Sequence, residues 1–342
     1  MFKLRKRSWL FLILLILAFG LIFIWQQASR TVEIGNQPAS SLNQEELAGH
    51  SPLSGLVCQH YQRRPMAVVL AEDPVTRPLA GLSQADLVLE IPVITNSITR
   101  IVALYLCQEP SEIGSLRSAR HDFIPLALGF DAILVHWGGS HFALDRLDAG
   151  VMDNIDALVN PYNAFYQKQS IPQPHNGFTS MERLLNSAQK LGYRLENQFV
   201  GYPYTEDQSQ KTSRRVLRIG YSEPYNVSYQ YEPTTNSYLR YRTNRKEIDK
   251  NNNQQIEAKN VVVMRVVSKQ IEGPDYNDLD LEGTGDCQVY QNGIVIDCTW
   301  QKSENKPTSK LKFLDGKGRE IPFVPGQIWI EIVEPEQEVT WQ

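Results

Sequence analysis

The stretch DAILVHWGGS, residues 131–140, places an apolar run directly before a glycine turn. An apolar run of this length predicts a buried strand, and residues 141–147 after the turn are predicted to form a helix. Further apolar runs that predict buried strands occupy residues 65–72, 86–93 and 99–107. Because strands alternate with helices in this part of the chain, we predict an α/β domain over residues 53–204.

The pattern of the later sequence is different. Thr179 and Glu182 form a capping box that predicts one more helix, which Gly192 ends. After residue 205, segments from VLRIGY to GQIWIEIVE alternate with turn sequences such as NG and DGKG, and no helical periodicity intervenes. These segments predict a mainly β domain over residues 205–342.

The N-terminus has the features of a membrane anchor. Residues 9–25, WLFLILLILAFGLIFIW, are apolar or glycine, and as a helix these seventeen residues would span about 25 Å. The basic segment 1–8 precedes them and should stay in the cytoplasm, which predicts a single-pass membrane protein with an extracytoplasmic body behind a polar linker, residues 26–52. A cleaved secretory signal is the alternative, but WQQA (25–28) is a poor cleavage sequence, so we favour the anchor.

The cysteines also indicate a compartment outside the cytoplasm. Cys287 and Cys298 flank the turn signal Asn292-Gly293, and counting outward from that turn places the two cysteines directly opposite each other. We therefore predict a Cys287–Cys298 disulfide, the alternative being two buried free thiols. Cys58 and Cys107 then remain, and the residues alone leave their pairing open.

Residues 113–140 carry the chemistry that points to a ligand. Arg117 and Arg120 follow a predicted strand with Ser118 between them, and such a set can hold a carboxylate or a phosphate. A glycine turn before a helix also presents backbone N–H groups to an anion. The predicted ligand-binding residues are Arg100, Arg117, Ser118, Arg120, His136, Gly138, Gly139, Ser140, His175 and Asn176.

Each of these groups also has a structural interpretation. The arginines could instead pair with the acidic residues Glu90, Asp122 and Asp131, and Ser140 could be only a helix N-cap. The histidines lack metal-ligand spacing and no nucleotide-binding glycine motif occurs, so we predict no metal and no cofactor. A histidine acid or base remains an alternative to simple binding, but no Gly-x-Ser-x-Gly elbow is present, and the sequence leaves open whether the protein is an enzyme.

A set of motifs in one order identifies a family. The motifs are RPLAGLSQADLVLEIPV (77–93), ITRIVALY (98–105), IGSLRSAR (113–120), DAILVHWGGS (131–140), PHN (174–176), AKNVVVM (258–264) and NGIVIDCTW (292–300). With them the chain resembles the YerB-type lipoprotein family of bacteria, which is defined by a domain of unknown function in two parts. The resemblance spans about residues 51–333 and implies an envelope location and two subdomains. It implies no reaction.

Two features depart from the family pattern. Lipoprotein members carry a signal that ends in a lipidated cysteine, whereas the first cysteine here is Cys58, so the predicted helix itself must anchor the chain. Members also tend to have a histidine near the loop 242–249, and this chain has none there, which puts any role of that histidine in doubt.

Two functional hypotheses follow. The first is a membrane-anchored extracytoplasmic cell-envelope protein that binds an anionic ligand, either a wall peptide or a phosphate polymer. The second is a non-catalytic scaffold that docks an envelope protein complex through residues 205–342. The net charge of −4 gives no support to a nucleic-acid partner.

Overall fold

A ten-stranded mixed sheet forms the centre of this computed structural model, which describes residues 49–209 and 213–342. The strands before residue 204 are β1 (Gly49–His50), β2 (Val57–Cys58), β3 (Met66–Ala71), β4 (Leu87–Pro92), β5 (Thr99–Tyr105), β6 (Ile113–Gly114), β7 (Ile133–His136), β8 (Asn154–Asp156), β9 (Tyr166–Gln167) and β10 (Gly177–Thr179). The later strands are β11 (Val216–Ile219), β12 (Val227–Glu232), β13 (Ser237–Arg242), β14 (Arg245–Lys246), β15 (Glu257–Ala258), β16 (Asn260–Arg265), β17 (Ser268–Glu272), β18 (Tyr276–Leu279), β19 (Gly283–Gln291), β20 (Ile294–Lys302), β21 (Lys312–Leu314), β22 (Ile328–Val333) and β23 (Val339–Trp341). The α-helices of the described residues are α1 (Phe123–Gly129), α2 (His141–Asp148) and α3 (Met181–Lys190). Short 3-10 helices are Pro74–Thr76, Leu82–Gln84 and Pro161–Asn163.

The ten-stranded sheet combines strands from both parts of the chain. Its order is β21-β20-β19-β16-β22-β4-β5-β3-β7-β8, so five strands from beyond residue 204 join five from before it. The join is the parallel pair β22–β4, in which Glu331 lies opposite Glu90. All the described residues fall in one compact unit. The domain boundary predicted at residue 204 stays a prediction.

A second sheet covers one face of the first. It has the order β14-β13-β12-β11-β23, with β15 also paired to β13. Tyrosines from β12 and β13 share an apolar cluster with β16 and β22, and the rings of Tyr229 and Trp329 have centroids 6.3 Å apart. A separate apolar cluster that includes Phe123 of α1 and Phe313 of β21 covers the other face. The described chain is therefore mainly β, with few helices.

The strands and helices predicted from local pattern are present in the structure. β3, β4, β5 and β7 lie inside the predicted apolar runs, and β7, α2 and the parallel strand β8 form a βαβ unit. The predicted cap of α3 is wrong by one residue. Ser180 Oγ accepts a hydrogen bond from the Arg183 N–H, because Thr179 is the last residue of β10 and its hydroxyl donates to Ala164 O at 2.7 Å.

The predicted cysteine hairpin is confirmed. β19 and β20 meet at Asn292-Gly293, both with positive φ, and Cys287 lies opposite Cys298. The two cysteines form a disulfide with a Cα–Cα distance of 4.8 Å. A second disulfide joins the two cysteines whose pairing the sequence left open, with a Cα–Cα distance of 5.7 Å: Cys58 and Cys107.

The predicted cytoplasmic segment (1–8), membrane helix (9–25) and nearly all of the linker (26–52) lie outside the described residues. Gly49–His50, at the end of that predicted linker, pair with β2. Over residues 49–209 and 213–342, no helix combines the length and the apolar character needed to cross a membrane.

Candidate functional site

The segment 116–120 runs between three other parts of the chain. Its backbone N–H groups donate to Gly177 O, Val69 O and Gly138 O, and its carbonyl groups accept from the N–H groups of Trp137 and Ser140. These bonds attach the segment to β3, to the glycine turn after β7 and to the start of β10. The RSAR, HWGGS and PHN motifs therefore meet in one region.

Arg117 connects two of these motifs directly. Its Nη2 lies 2.8 Å from His175 Nδ1, and its Nη1 donates to Pro174 O at 3.1 Å. The same guanidinium forms an ion pair with Asp73, whose Oδ2 is 3.1 Å from Nη2. The side chains of Arg117 and His175 keep 14% and 16% of their exposure. This pair is thus within reach of solvent.

The other two predicted arginines lie beside Arg117. Arg100 Nη1 donates to Ser118 O at 2.8 Å, and burial together with the guanidinium groups of Arg120 and Arg117 lowers the pKa of Arg100 to about 9. Arg120 lies 5.5 Å from the ring centre of Tyr276, and burial lowers its pKa. Its Nε is buried and has no hydrogen-bond partner among the described residues. We call Arg100, Arg117 and Arg120 the arginine cluster.

Direct ion pairs with carboxylates are few in the arginine cluster, although Asp122 and Asp275 act on Arg120 from a greater distance. Within the described ranges, Arg117 has its ion pair with Asp73, whereas neither Arg100 nor Arg120 has an ion pair with a carboxylate. The Tyr225 hydroxyl donates to the other oxygen of Asp73 at 3.4 Å. Asp73 and Tyr225 were missed by sequence reasoning. Asp73 directly follows the apolar run of β3, where a site residue is often found, but Tyr225 had no signal in the sequence.

His175 is held as a neutral imidazole. Burial, followed by the positive charge of Arg117, lowers its pKa below the ordinary 6.5. Arg117 can only donate, and its Nη2 is closer to Nδ1 (2.8 Å) than to Nε2 (3.4 Å), so Nδ1 is the acceptor nitrogen and the ring proton is on Nε2. At pH 7 this histidine can therefore donate one hydrogen bond from Nε2 but adds no positive charge.

The remaining predicted residues form the framework of the loop. His136 is fully buried, with Nδ1 2.8 Å from Gly138 O and Nε2 3.1 Å from Asn154 Oδ1, so both ring nitrogens are occupied. Ser140 is the N-cap of α2, and its Oγ accepts from the Ala143 N–H. Its own N–H donates to Ala119 O, so this amide, which the sequence offered to an anion, already has a partner.

Backbone conformation and close packing explain why the turn contains Gly138 and Gly139. Gly138 has a φ of +62°, and its N–H donates to Asp156 Oδ1 at 2.8 Å. A Cβ at Gly139 would lie 3.3 Å from Ala119 O, so glycine allows the close approach of the two segments. Asn176 is buried and its carbonyl accepts from the Lys168 N–H. These residues position the arginine cluster, and the structure shows no free donor on Gly138 for a ligand.

A second arginine group, which the sequence did not predict, lies between the two sheets. Arg240 and Arg242 of β13 contact Glu90 of β4, Glu331 of β22, Glu72 and Glu247, with Arg77 at the edge of the group. We call this group the buried ion network. Burial opposes ionisation of Glu90, but Arg242 and Arg240 outweigh that effect and lower its pKa to about 2. Burial raises the pKa of Glu72 to about 8 and also raises that of Glu331.

The acidic partners suggested from sequence have other roles. Glu90 pairs with the arginines of the buried ion network, and Asp131 pairs with Arg194. Asp122 lies beside His121, and with Asp278 these residues form the group of histidine and carboxylate side chains in the described ranges that could hold a metal ion.

Comparisons with known proteins identify the family. The chain matches "Protein of unknown function (DUF3048) N-terminal domain" over residues 53–194 and the corresponding C-terminal domain over residues 217–330. It is 32% identical over 289 residues to a protein of Bacillus subtilis (strain 168) named "Putative lipoprotein YerB", covering 83% of this chain and 86% of that protein. A crystal structure of the YerB protein from Bacillus subtilis is similar with a TM-score of 0.77 at 29% identity, covering 85% of this chain and 99% of that one. The chain therefore belongs to the two-part DUF3048 family of proteins of unknown function, the YerB-type family that its motifs indicated.

Proposed function

We propose that this chain is a membrane-anchored extracytoplasmic cell-envelope protein whose arginine cluster binds an anionic ligand. The observation that carries the proposal is the set of unused guanidinium donors in the cluster. Among the described residues, neither Arg100 nor Arg120 has an ion pair with a carboxylate, and the buried Nε of Arg120 has no hydrogen-bond partner. A guanidinium with unused donors at a partly exposed site can bind carboxylate and phosphate oxygens through paired N–H donors.

The hydrogen bonds that are already present limit how a ligand binds. Arg117 is occupied by Asp73, Pro174 and His175. Among the described residues, Arg100 uses one of its five N–H donors on Ser118 O, and the one hydrogen bond of Arg120 is a 3.4 Å bond to Ala119 O. We therefore assign the main ligand contacts to Arg120 and Arg100. Arg117 positions His175, whose Nε2 proton is available as one further donor.

The proposed location rests on the sequence and on the relative. Residues 9–25 are apolar and follow the basic segment 1–8, which favours a cytoplasmic N-terminus. The two disulfides fit an oxidising compartment. The Bacillus subtilis relative is named a lipoprotein, which supports a place at the envelope membrane for this chain. Wall peptides and phosphate polymers are the anionic ligand classes that this compartment offers.

The test is a calorimetric titration of the purified full chain with wall-peptide fragments and, separately, with a glycerol phosphate polymer. Arg120→Ala should weaken binding by about 1.5–3 kcal/mol, roughly ten- to a hundredfold, because it removes a charge-assisted donor. Arg218→Ala is the matched control, since this exposed arginine of β11 has no ion pair within the described ranges and loses the same charge.

Two outcomes would contradict the proposal. Equal weakening by Arg120→Ala and Arg218→Ala would show that only overall charge matters. If the wild type binds neither ligand class, the anion-binding proposal is wrong. The alternative is then a scaffold that docks an envelope protein complex through residues 205–342. Cross-linking of the full chain in its native membrane would then test that docking.

A further inference from the structure

A cluster of histidine and aspartate lies where residues 121–122 meet the β17–β18 hairpin. His121 Nε2 is 3.0 Å from Asp278 Oδ1 and 3.6 Å from Asp122 Oδ1. One ligand atom from each of the three residues lies within 4.8 Å of the other two. An imidazole with two carboxylates at this spacing is a donor set that divalent first-row metals such as Zn²⁺ prefer, whereas Ca²⁺ and Mg²⁺ prefer oxygen alone.

The hydrogen bonds of Asp122 leave one of its oxygens unsatisfied. The side chain is 3% exposed, and Oδ1 accepts from the Leu279 N–H at 3.0 Å. Oδ2 is buried and has no hydrogen-bond partner in residues 49–209 and 213–342. A simple hydrogen bond between His121 and Asp278 does nothing for this oxygen, and an unpaired buried carboxylate oxygen is costly. A cation bound by the Asp122 carboxylate would offer this group a charged partner that the described residues do not supply.

The cluster opens into a cleft that has room for further ligands. The cleft has a volume of about 330 Å³ and is lined by all three residues. Arg146, Lys269, Asp280 and Glu282 also line it, so its walls carry charges of both signs. Three protein ligands with space beyond them are the arrangement of metal sites that keep one coordination position for water or an anion.

We propose that His121, Asp122 and Asp278 bind one divalent transition-metal cation of the zinc class. One imidazole nitrogen and two carboxylates are its protein ligands, and the remaining position faces the cleft, where water can complete the coordination. The proposal is independent of the ligand assigned to the arginine cluster, since it uses none of those three side chains. His121 and the ligand supplied by β18, Asp278, are 157 residues apart in sequence, which explains why no metal motif is visible.

The test uses the full chain in detergent, stripped of metal with a chelator and titrated with Zn²⁺ by calorimetry, with the bound metal counted by mass spectrometry. We expect one Zn²⁺ per chain in the wild type. Asp278→Asn should weaken binding at least about tenfold, because loss of a ligand costs no less than loss of an outer-shell partner. An asparagine oxygen can still accept from His121, so a role limited to hydrogen bonding would survive this change.

Asp275→Asn is the matched control, since this exposed residue belongs to the same hairpin and loses the same charge. It should leave the affinity unchanged. Asp278 is also exposed, and thermal unfolding without metal checks that its variant is folded. Wild-type protein that binds no stoichiometric Zn²⁺, or an Asp278→Asn variant that binds it as tightly as wild type, would overturn the proposal.

Discussion

Replacement of Glu72 by glutamine should stabilise the protein at neutral pH, although it removes an acidic group from the buried ion network. The Glu72 side chain is buried, and neither carboxylate oxygen has a hydrogen-bond partner in the described residues. Arg242 Nε lies 3.0 Å from Oε2, but the same guanidinium donates two hydrogen bonds to Glu90. Because burial raises the pKa of Glu72 to about 8, the folded protein holds it as a neutral acid at pH 7, which glutamine resembles in shape.

The sign and size of the effect follow from proton binding. In the unfolded chain Glu72 has its ordinary pKa of 4.5, so between pH 4.5 and 8 the unfolded state has released a proton that the folded state keeps. The unfolded state then binds fewer protons, and the stability of the wild type falls as pH rises through this window. At pH 7 the loss is at most about 3 kcal/mol, at 1.36 kcal/mol for each pH unit above 4.5. The glutamine of Glu72→Gln does not titrate, so the variant does not lose this free energy of unfolding.

Chemical denaturation of wild type and Glu72→Gln at steps from pH 4.5 to 8 measures the difference. It should be near zero at pH 4.5 and grow with pH in favour of the variant. Glu304→Gln changes an exposed glutamate and should show no pH-dependent difference. If Glu72→Gln is less stable than wild type at pH 7, and the gap widens with pH, then Glu72 is ionised and paired with Arg242, and the reasoning is wrong.

Three further predictions concern stability and topology. Arg240→Ala should lower the free energy of unfolding by about 3–5 kcal/mol, because it leaves Glu90 in the sheet interface with less of its compensating charge; a loss below about 1 kcal/mol in chemical denaturation would contradict this. Replacing Cys287 and Cys298 together by serine should cost about 3 kcal/mol through a freer unfolded chain, and an unchanged denaturation midpoint would argue against the disulfide. A cysteine introduced at Ser29 should react with a membrane-impermeant reagent from outside the cell, and the intact mass should include the apolar span; a mature N-terminus beyond that span would disprove the anchor.

Local features of the chain were predictable because short-range physics determines them. The run predicted at 65–72 contains β3, and the run at 131–137 contains β7, since consecutive apolar residues signal strands with two buried faces. The Asn292-Gly293 turn fixed the register of β19 and β20, and with it the Cys287–Cys298 pair, because a two-residue hairpin leaves one alignment.

Pairing between distant strands could not be predicted in the same way. The ten-stranded sheet depends on the parallel contact of β22 with β4, and an apolar run does not specify which other strand it lies beside. One signal was present in the sequence. Glu90 and Glu331 are single acidic residues inside apolar strands, and they lie opposite each other in the register. Two such buried acids require cations nearby, and β13 supplies them in Arg240 and Arg242.

The candidate site was partly predictable for a similar reason. Motifs that end or follow neighbouring strands come together at one edge, and Arg117 indeed contacts His175. Whether a turn N–H is free to bind a ligand depends on which carbonyl lies opposite it. The Ser140 N–H donates to Ala119 O, a partner that the sequence does not reveal. His136 resembles a loop histidine in sequence, yet its position at the end of β7 buries both of its ring nitrogens against backbone and Asn154.

The buried ion network and the arginine cluster differ in their contacts with carboxylates and in their exposure to solvent. In the buried ion network, four glutamates exceed the arginines that face them, and the side chains between the sheets are closed to solvent. Such a network must be neutral internally, so one or more of its carboxyls keeps its proton, and its function is to join the two sheets. In the arginine cluster, the described residues give one arginine–carboxylate ion pair, between Arg117 and Asp73, and part of the site is open to solvent. Because the guanidinium groups are already fixed by backbone carbonyls and a ring, the anion that we propose as the ligand would bind with little loss of side-chain entropy.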